Sequence, residues 1–331
     1  MYDERRHKMK QHTNTHKRSI AILMTLAMVL SLPTGITMPR QAQAAGYGLN
    51  NPTTDSNGVT TWDCVYFGNY WQNDTNGDGV ADENDAKQPI KWRVLSVDGD
   101  DAFILADQIL DARAYNETWT NVTWENCTMR SWLNGYGASA NKNEKDFTDY
   151  NFLDNAFSAA EQEAIQTTSV VNEDNPNYGT DGGNNTEDKV YLLSVSEASN
   201  ALYGFNSKYD TESETREAKN TEYAKDCGAY TFTPWSSHSG YGSWWLRTLC
   251  APGRSDWCAY GVNIGDTAVA NAHDVQHKYI GVRPALHLNL SSSNLWSYAD
   301  TVSSEGGTFT NGSFVGTLRG YTTSNRTATL D

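Results

Sequence analysis

Short runs of apolar and alternating positions, separated by Gly, Asn and Asp, fill the chain from residue 60 onward. The first run covers 60–67. Two more, over 90–97 and 102–107, flank a turn made of Asp and Gly and predict a β-hairpin. Trp92 and Val94 alternate with other large side chains, so the first hairpin strand is expected to be covered on both faces. The pattern therefore predicts strands instead of long amphipathic helices.

Helical signals are short and lie between the predicted strands. A helix is predicted from Met129 to Asn134, ending at Gly135. Ser158 and Glu161 form a capping-box pattern that starts a second helix. Strands are also expected over 168–171 and 189–194, a helix over 196–203 and a polar surface helix over 213–225. Because no βαβ regularity appears, the pattern predicts an α+β fold with a small, twisted, mostly antiparallel sheet, short helices and long irregular loops.

Two apolar runs further along the chain each contain one arginine. They are Trp244-Trp245-Leu246-Arg247 and Gly281-Val282-Arg283-Pro284-Ala285-Leu286. Both predict core strands, with a long loop region between them. A charged side chain in such a strand is rarely buried without a partner, so Arg247 and Arg283 are each expected to contact a carboxylate or a carbonyl. We interpret these arginines, with Trp244 and Trp245, as structural.

The first residues have the pattern of a targeting segment. A basic region precedes the apolar stretch 20–32, and Ala42-Gln43-Ala44 supplies a small-x-small cleavage pattern. We expect a signal peptide over 1–44, a leader over 45–58, a folded domain over 59–290 and a Ser/Thr/Gly-rich tail or linker over 291–331. The protein is therefore expected to be secreted, with association at the cell surface left open.

Charge and cysteine content narrow the classes of function. The chain has a formal net charge of −15, and removal of residues 1–44 takes it to near −20. Such a surface repels phosphate backbones and anionic lipid headgroups, which argues against nucleic-acid and membrane partners and favours calcium or neutral ligands. Five cysteines are present, an odd number, so at least one is expected to be a free thiol or to pair between chains.

The sharpest chemical motif is an acidic loop over 74–85. It has oxygen-bearing side chains at positions 1, 3, 5, 9 and 12, a glycine at the sharp turn and a backbone carbonyl at position 7. The expected Ca²⁺ ligands are Asp74, Asn76, Asp78, the carbonyl of Val80, Asp82 and Asp85. The same residue types also form ordinary solvated turns. Because the loop lies between predicted strands, the expected role of calcium is structural.

Six ordered motifs resemble a family of uncharacterised domains of the DUF6273 type, common in exported proteins of gut Firmicutes. They are Trp92-Arg93-Val94-Leu95, Trp124 with Met129-Arg130-Ser131-Trp132-Leu133-Asn134, Ala156-Phe157-Ser158 with Glu161, Val190-Tyr191-Leu192-Leu193-Ser194 with Glu197, and the two arginine-containing runs. The last two motifs also resemble the end of C-type-lectin-like and formylglycine-generating-enzyme domains. The resemblance implies a C-type-lectin-like domain over 59–290 in which a long loop region does the binding. That fold hosts enzymes and binders alike.

Cys250 and Cys258 lie in this loop region and leave three alternatives. A disulfide that closes the short loop is favoured in an exported protein. Resemblance to formylglycine-generating enzymes implies a copper-binding pair that oxidises a substrate, but seven residues separate these cysteines, more than in that family's pair. The third alternative is free or otherwise paired thiols.

The loop region over 248–280 is the expected recognition surface. His273 and His277 have the i, i+4 spacing of zinc ligands but lack the accompanying glutamate of zinc proteases. No nucleophile elbow or phosphate-binding loop is present. Aromatic and short polar side chains suit adaptable recognition, and the expected ligand-binding residues are Arg254, Asp256, Trp257, Tyr260, Asn263, Asn271 and His273. The leading hypothesis is non-enzymatic binding of a carbohydrate or protein receptor. The alternatives are a copper oxidase and a component of the cell envelope.

Overall fold

The structure is a computed structural model that describes residues 47–211, 213–232, 239–250, 258–262, 271–310 and 313–316. Only the backbone is described at 258–262, 271, 307–310 and 313–316. Within these ranges, no helix has the length and apolar character that a membrane span needs.

Strands predominate in the described chain, and the helices are short. The strands are β1 (Thr53–Thr54), β2 (Thr60–Tyr70), β3 (Gln88–Asp98), β4 (Asp101–Ala106), β5 (Asp111–Ala112), β6 (Thr168–Val170), β7 (Thr186–Asp188), β8 (Val190–Tyr191), β9 (Trp244–Leu249), β10 (Cys258–Val262), β11 (Asn271–Asp274), β12 (Gly281–Val282), β13 (Ala285–Asn289), β14 (Trp296–Ser303), β15 (Gly307–Thr310) and β16 (Ser313–Gly316). The helices are α1 (Thr128–Asn134), α2 (Phe152–Ala156), α3 (Ala159–Ala164) and α4 (Glu222–Asp226), with 3₁₀ turns at Trp124–Asn126, Ala138–Ala140, Glu197–Ser199, Ala201–Tyr203 and Glu214–Arg216.

The strands form one large sheet and two smaller ones. The large sheet has nine strands in the order β16-β15-β14-β2-β3-β4-β13-β8, with β1 paired to β2, and its pairs are antiparallel. A five-stranded sheet has the order β11-β10-β9-β12-β5, and β6 pairs with β7. In the five-stranded sheet β9 and β12 are parallel, and the other pairs are antiparallel. The protein is a mixed α+β fold with mostly antiparallel sheets and few short helices, as the sequence predicts.

The two arginine-containing runs lie side by side at the centre of the five-stranded sheet. Gly281 of β12 pairs with Trp244 of β9. An added Cβ at Gly281 would lie 2.3 Å from the Ile109 side chain, so only glycine allows this close approach. The second run does not form one strand as expected. It leaves the small sheet after Val282 and enters the large sheet at Ala285, so that it connects the two sheets.

Both arginines of these runs are buried and hydrogen-bonded. Arg247 binds the carboxylate of Glu197 and the carbonyls of Leu192 and Val171. Arg283 donates from Nε to the Ala106 carbonyl at 2.7 Å, and its guanidinium lies 4.9 Å from the centre of the Trp244 ring. Trp244 and Trp245 are fully buried. Arg247 therefore connects β9 to the segment after β8, and Arg283 connects the end of β12 to β4 of the large sheet.

The segment 213–225 is not the surface helix expected from its polar sequence. It contains a 3₁₀ turn and α4, and Arg216, Tyr223 and Ala224 are buried. Arg216 donates hydrogen bonds to four backbone carbonyls, those of Ala198, Asn206, Lys208 and Thr211. The polar sequence predicts exposure, but the charged side chain of Arg216 can be buried because backbone carbonyls accept its hydrogen bonds.

The chain beyond Leu290 also differs from the expected tail or linker. Strand β14, Trp296–Ser303, pairs with β2 inside the large sheet. Its Ser and Thr residues suit a strand with one exposed face, where Thr is a good strand former.

The described part of the 248–280 region is likewise more regular than expected, because β10 and β11 form an antiparallel hairpin beside β9.

Candidate ligand-binding cavity

The acidic loop over 74–85 is held by its own carboxylates. Asp74 accepts hydrogen bonds from the backbone N–H groups of Gly77 at 2.6 Å and Gly79 at 2.8 Å. Asp85 accepts from the backbone of Thr75 at 2.6 Å and of Asp82 at 2.8 Å. In the described part of the chain, no three His, Cys, Asp or Glu residues are grouped in a way that could hold a metal ion. Calcium binding, which also draws on Asn76, Asp78 and the Val80 carbonyl, stays a prediction.

This loop packs against α4 through carboxylates of the helix. Asp226 accepts the backbone N–H of Ala81 at 2.7 Å, and Glu222 accepts that of Asp74 at 3.2 Å. The loop therefore forms one wall beside α4, and Glu83 of the loop lines the cavity described below.

The expected recognition residues are only partly described. Arg254, Asp256, Trp257 and Asn263 lie outside the described residues. Tyr260 lies in β10 and Asn271 in β11, where the backbone alone is described.

The imidazole of His273 packs against β9. Its ring lies edge-on to Trp245 at 5.9 Å between centroids, and its Nε2 is buried without a hydrogen-bond partner in the described chain. Burial, with a smaller contribution from His277, lowers the pKa of His273 to about 4. The ring of His277 instead accepts or donates a hydrogen bond with the Tyr279 hydroxyl at 2.9 Å.

The cysteines divide into two groups. Cys250 is buried and disulfide-bonded, and the Cys258 side chain lies outside the described residues. Cys64, Cys127 and Cys227 are free. A disulfide sulfur is not the thiolate that metal binding requires, so the state of Cys250 gives no support to the copper-oxidase alternative.

A cavity of about 370 Å³ lies between β5, the first turns of α1 and α4. Residues from six places in the chain line it, including the acidic loop, the segment after β5 and Lys278 at the end of the 248–280 region. Its volume is within the range of small-molecule sites. The aromatic side chains in its wall are Trp132, Phe147, Tyr150 and Tyr223.

Each carboxylate in the wall already accepts a hydrogen bond from the protein. Asp111 accepts from the Tyr70 hydroxyl at 2.8 Å and from the Ala112 backbone at 2.6 Å. Glu83 accepts from the hydroxyl of Tyr150, and Glu117 from the ammonium of Lys145. Burial raises the pKa of Asp111, although the nearby positive charge opposes this shift.

Two nitrogen donors of the wall residues, in contrast, lack a hydrogen-bond acceptor in the described part of the chain. The guanidinium of Arg113 lies 4.3 Å from the centre of the Trp132 ring, and its Nε is 4.0 Å from an Asp111 oxygen, beyond hydrogen-bond distance. Arg113 Nε and Trp132 Nε1 are buried and have no hydrogen-bond partner in the described chain. Burial would lower the pKa of Arg113, but Asp111 and nearby tyrosines outweigh it and raise the pKa, so the side chain is charged.

Cys227 lines the same cavity as a free thiol. Although Cys227 is exposed as a residue, partial desolvation of its thiol, with the nearby charge of Asp111, raises its pKa to about 12. A cysteine with so high a pKa is protonated at neutral pH and is a poor nucleophile. The cavity therefore has the donors and aromatic faces of a binding site without an activated thiol.

Sequence reasoning missed this cavity. Asp111 and Arg113 stand between apolar residues in the run Leu110-Asp111-Ala112-Arg113-Ala114-Tyr115, and two opposite charges in a buried run are the local signal that was available. Trp132 belongs to one of the family motifs, and nothing in that motif indicates that it lines a cavity. Nothing local indicates that residues 83, 113, 132 and 278 meet.

Comparison with known proteins gives one match. Neither a curated protein nor a solved structure matches the chain. The family described as "Domain of unknown function (DUF6273)" matches residues 99–290, more than half of the chain, and this range includes Arg113, Trp132 and Lys278. The protein therefore belongs to the DUF6273 family.

Proposed function

We propose that this protein is an exported ligand-binding module that holds a small molecule, or the terminal group of a larger carbohydrate or protein receptor, in the cavity of Arg113 and Trp132. One observation carries the proposal: two residues that line the same cavity, Arg113 and Trp132, each have a buried nitrogen donor without a hydrogen-bond partner in the described part of the chain. An unsatisfied buried donor costs about 1–3 kcal/mol, and more when the group is charged. A ligand that supplies acceptors removes this cost.

The lining of the cavity supports a ligand with at least one flat apolar face. Aromatic rings give large contact area at low entropic cost and stack on sugar rings as well as on planar side chains. Tyr150 is 40% exposed, so one of these rings lies at the opening of the cavity. Lys278 belongs to the 248–280 region, so the proposed site includes one residue of the expected recognition surface.

We also propose a fold for the C-terminal half and a metal site for the 74–85 loop. We regard the C-terminal half as C-type-lectin-like, since β9 and β12 carry the long 248–280 region between them. We also regard the 74–85 loop as a structural calcium site of weak affinity, about 10⁻⁴–10⁻³ M, as in extracellular modules. Calorimetric titration of the secreted chain with Ca²⁺ should give heat that Asp74→Ala removes and Asp98→Ala, outside the loop, retains. Absence of heat with the unmodified chain would remove the calcium site.

Ligand-observed NMR of the chain from residue 45 onward, against a library of sugars and amino acids, tests the binding site. Ala114→Phe places a ring where a small residue lines the cavity, and it should abolish binding of the ligands that the unmodified protein selects. Ala160→Phe, at an exposed position of α3, is the matched control and should bind normally. The melting temperature of each variant shows whether it is folded.

Tyr150→Ala removes the ring at the opening and provides a second, milder change. We expect it to weaken binding at least several-fold, because one stacking face is lost. Tyr178→Ala removes an exposed ring that does not line the cavity and should have no effect. Ligands that bind the Ala114→Phe and Tyr150→Ala variants with unchanged affinity, or a library without any binder, would refute the cavity as the site.

A further inference from the structure

Charges around the cavity are unevenly partnered. The three carboxylates of the wall each accept a hydrogen bond from the protein, as described above. The two cations of the wall, Arg113 and Lys278, make no hydrogen bond in the described part of the chain. A protein with a net charge of −15 has many carboxylates that could have paired with them. Arg113 is paired only at 4.0 Å with Asp111, and Lys278 has no ion pair in the described part of the chain, so both cations can still donate to a ligand.

The position of the Arg113 guanidinium determines which part of it can bind. Its centre lies 4.3 Å from the Trp132 ring centre and 5.7 Å from that of Tyr150. An arginine that contacts an aromatic ring in this way uses the ring as a cation–π partner and keeps its in-plane N–H groups for hydrogen bonds. The ion pair with Asp111 is long, 4.0 Å from Nε, and this Nε has no hydrogen-bond partner in the described part of the chain. The edge of a guanidinium group matches a planar group that presents two oxygens side by side.

We propose that Arg113, assisted by Lys278, binds a carboxylate group of the ligand in this cavity. The inference rests on the proposed function and names the ligand class for the same site. A carboxylate has the planar, two-oxygen geometry of the guanidinium edge. It also carries a single negative charge. A phosphate monoester, with nearly two, would be repelled more strongly by Asp111, Glu83 and Glu117.

Matched pairs of acids and amides test this inference. The probes are glucuronate with glucuronamide and N-acetylphenylalanine with its amide, titrated by calorimetry into the chain from residue 45 onward. One arm tests a sugar acid and the other an amino-acid carboxylate. In at least one pair we expect the acid to bind tenfold or more tightly than the amide, about the effect of a charge-assisted hydrogen bond. We expect the preference to decline with added salt.

Variants assign the preference to particular side chains. Arg113→Gln should bring the acid to the affinity of its amide, and Arg113→Lys, which keeps the charge but loses the planar edge, should retain part of the preference. Lys278→Gln should reduce the preference about threefold, as expected for an exposed charge. Lys225→Gln is the matched control, since this exposed lysine of α4 does not line the cavity. Lys278 is itself exposed, so its variant tests the inference even where Arg113→Gln fails to fold.

The outcomes separate this inference from the proposed function. If no acid in the panel binds better than its amide, or if Arg113→Gln leaves the preference unchanged in a folded protein, the carboxylate assignment is wrong. Neutral ligands whose binding is abolished by Ala114→Phe would then still support the cavity as the binding site. Acids that keep their full preference in the Ala114→Phe variant would refute both.

Discussion

Removing the ion pair between Arg247 and Glu197 tests the frame of the binding region, by which we mean β9 and β12 with the segments that hold them. Arg247 has a side chain that is 5% exposed, and it contacts both carboxylate oxygens of Glu197. Glu197 also accepts the backbone N–H of Ser194 at 2.8 Å. Removing one partner of a buried pair costs about 3–5 kcal/mol, and loss of a hydrogen bond costs about 1 kcal/mol. Glu197→Ala should therefore destabilise the protein by about 4–6 kcal/mol.

A double-mutant cycle separates these two contributions. In an Arg247→Met background, Glu197→Ala removes the same hydrogen bond to Ser194 but no ion pair, so it should cost only about 1 kcal/mol. Urea unfolding followed by tryptophan fluorescence measures each free energy, and Glu163→Ala, at an exposed position of α3, should change it by less than about 0.5 kcal/mol. Equal costs of Glu197→Ala in the two backgrounds would refute the argument that the pair holds the frame together.

Three further changes test the fold. Burial, with a smaller effect of His277, lowers the pKa of His273 from 6.5 to about 4. The stability that neutral His273 contributes is therefore present above pH 6.5 and is lost as the pH falls toward 4. His273→Gln should remove up to about 3 kcal/mol of the difference in unfolding free energy between these pH values. Although burial opposes it, neighbouring cations hold the pKa of Asp107 well below its usual value of 3.8. Asp107→Asn should therefore cost about 3–5 kcal/mol at pH 7 and progressively less as the pH falls below 3.8, as measured by urea unfolding. Gly68→Ala should lower the unfolding free energy by about 2–4 kcal/mol, because φ is +68° and the new Cβ would lie 2.4 Å from a ring carbon of Phe157. Gly58→Ala, at a φ of +83° but in open space, should lower it by about 1 kcal/mol. Equal effects at the two glycines would contradict the packing argument.

Local patterns predicted the elements whose signals are contained in a few adjacent residues. The capping box of Ser158 and Glu161 forms as expected at the start of α3. Gly135 ends α1 with a φ of +69°, the left-handed conformation that favours glycine. The predicted hairpin corresponds to β3 and β4, which pair from Trp92 to Asp98 of β3. Turn and capping residues specify such features without knowledge of the rest of the chain.

Features that depend on distant residues were not predictable in this way. The split of the run from Gly281 to Leu286 between two sheets depends on pairing with residues far away in sequence. The burial of Arg216 depends on carbonyls of other segments, so its charge suggested exposure. The cavity combines residues as far apart as Glu83 and Lys278, and no pattern along one segment indicates their meeting.

Arg113 differs from the three buried arginines in a way that separates structure from function. Arg216, Arg247 and Arg283 each donate to backbone carbonyls or to a carboxylate, and removing any of them would leave buried acceptors unsatisfied. The side chain of Arg113 is partly exposed and pairs with Asp111 at 4.0 Å, and its Nε has no hydrogen-bond partner in the described part of the chain. Asp111 keeps its hydrogen bonds from Tyr70 and Ala112 when Arg113 is replaced. A variant of Arg113 should therefore remain folded while it loses its ligand, which an arginine of the frame cannot do.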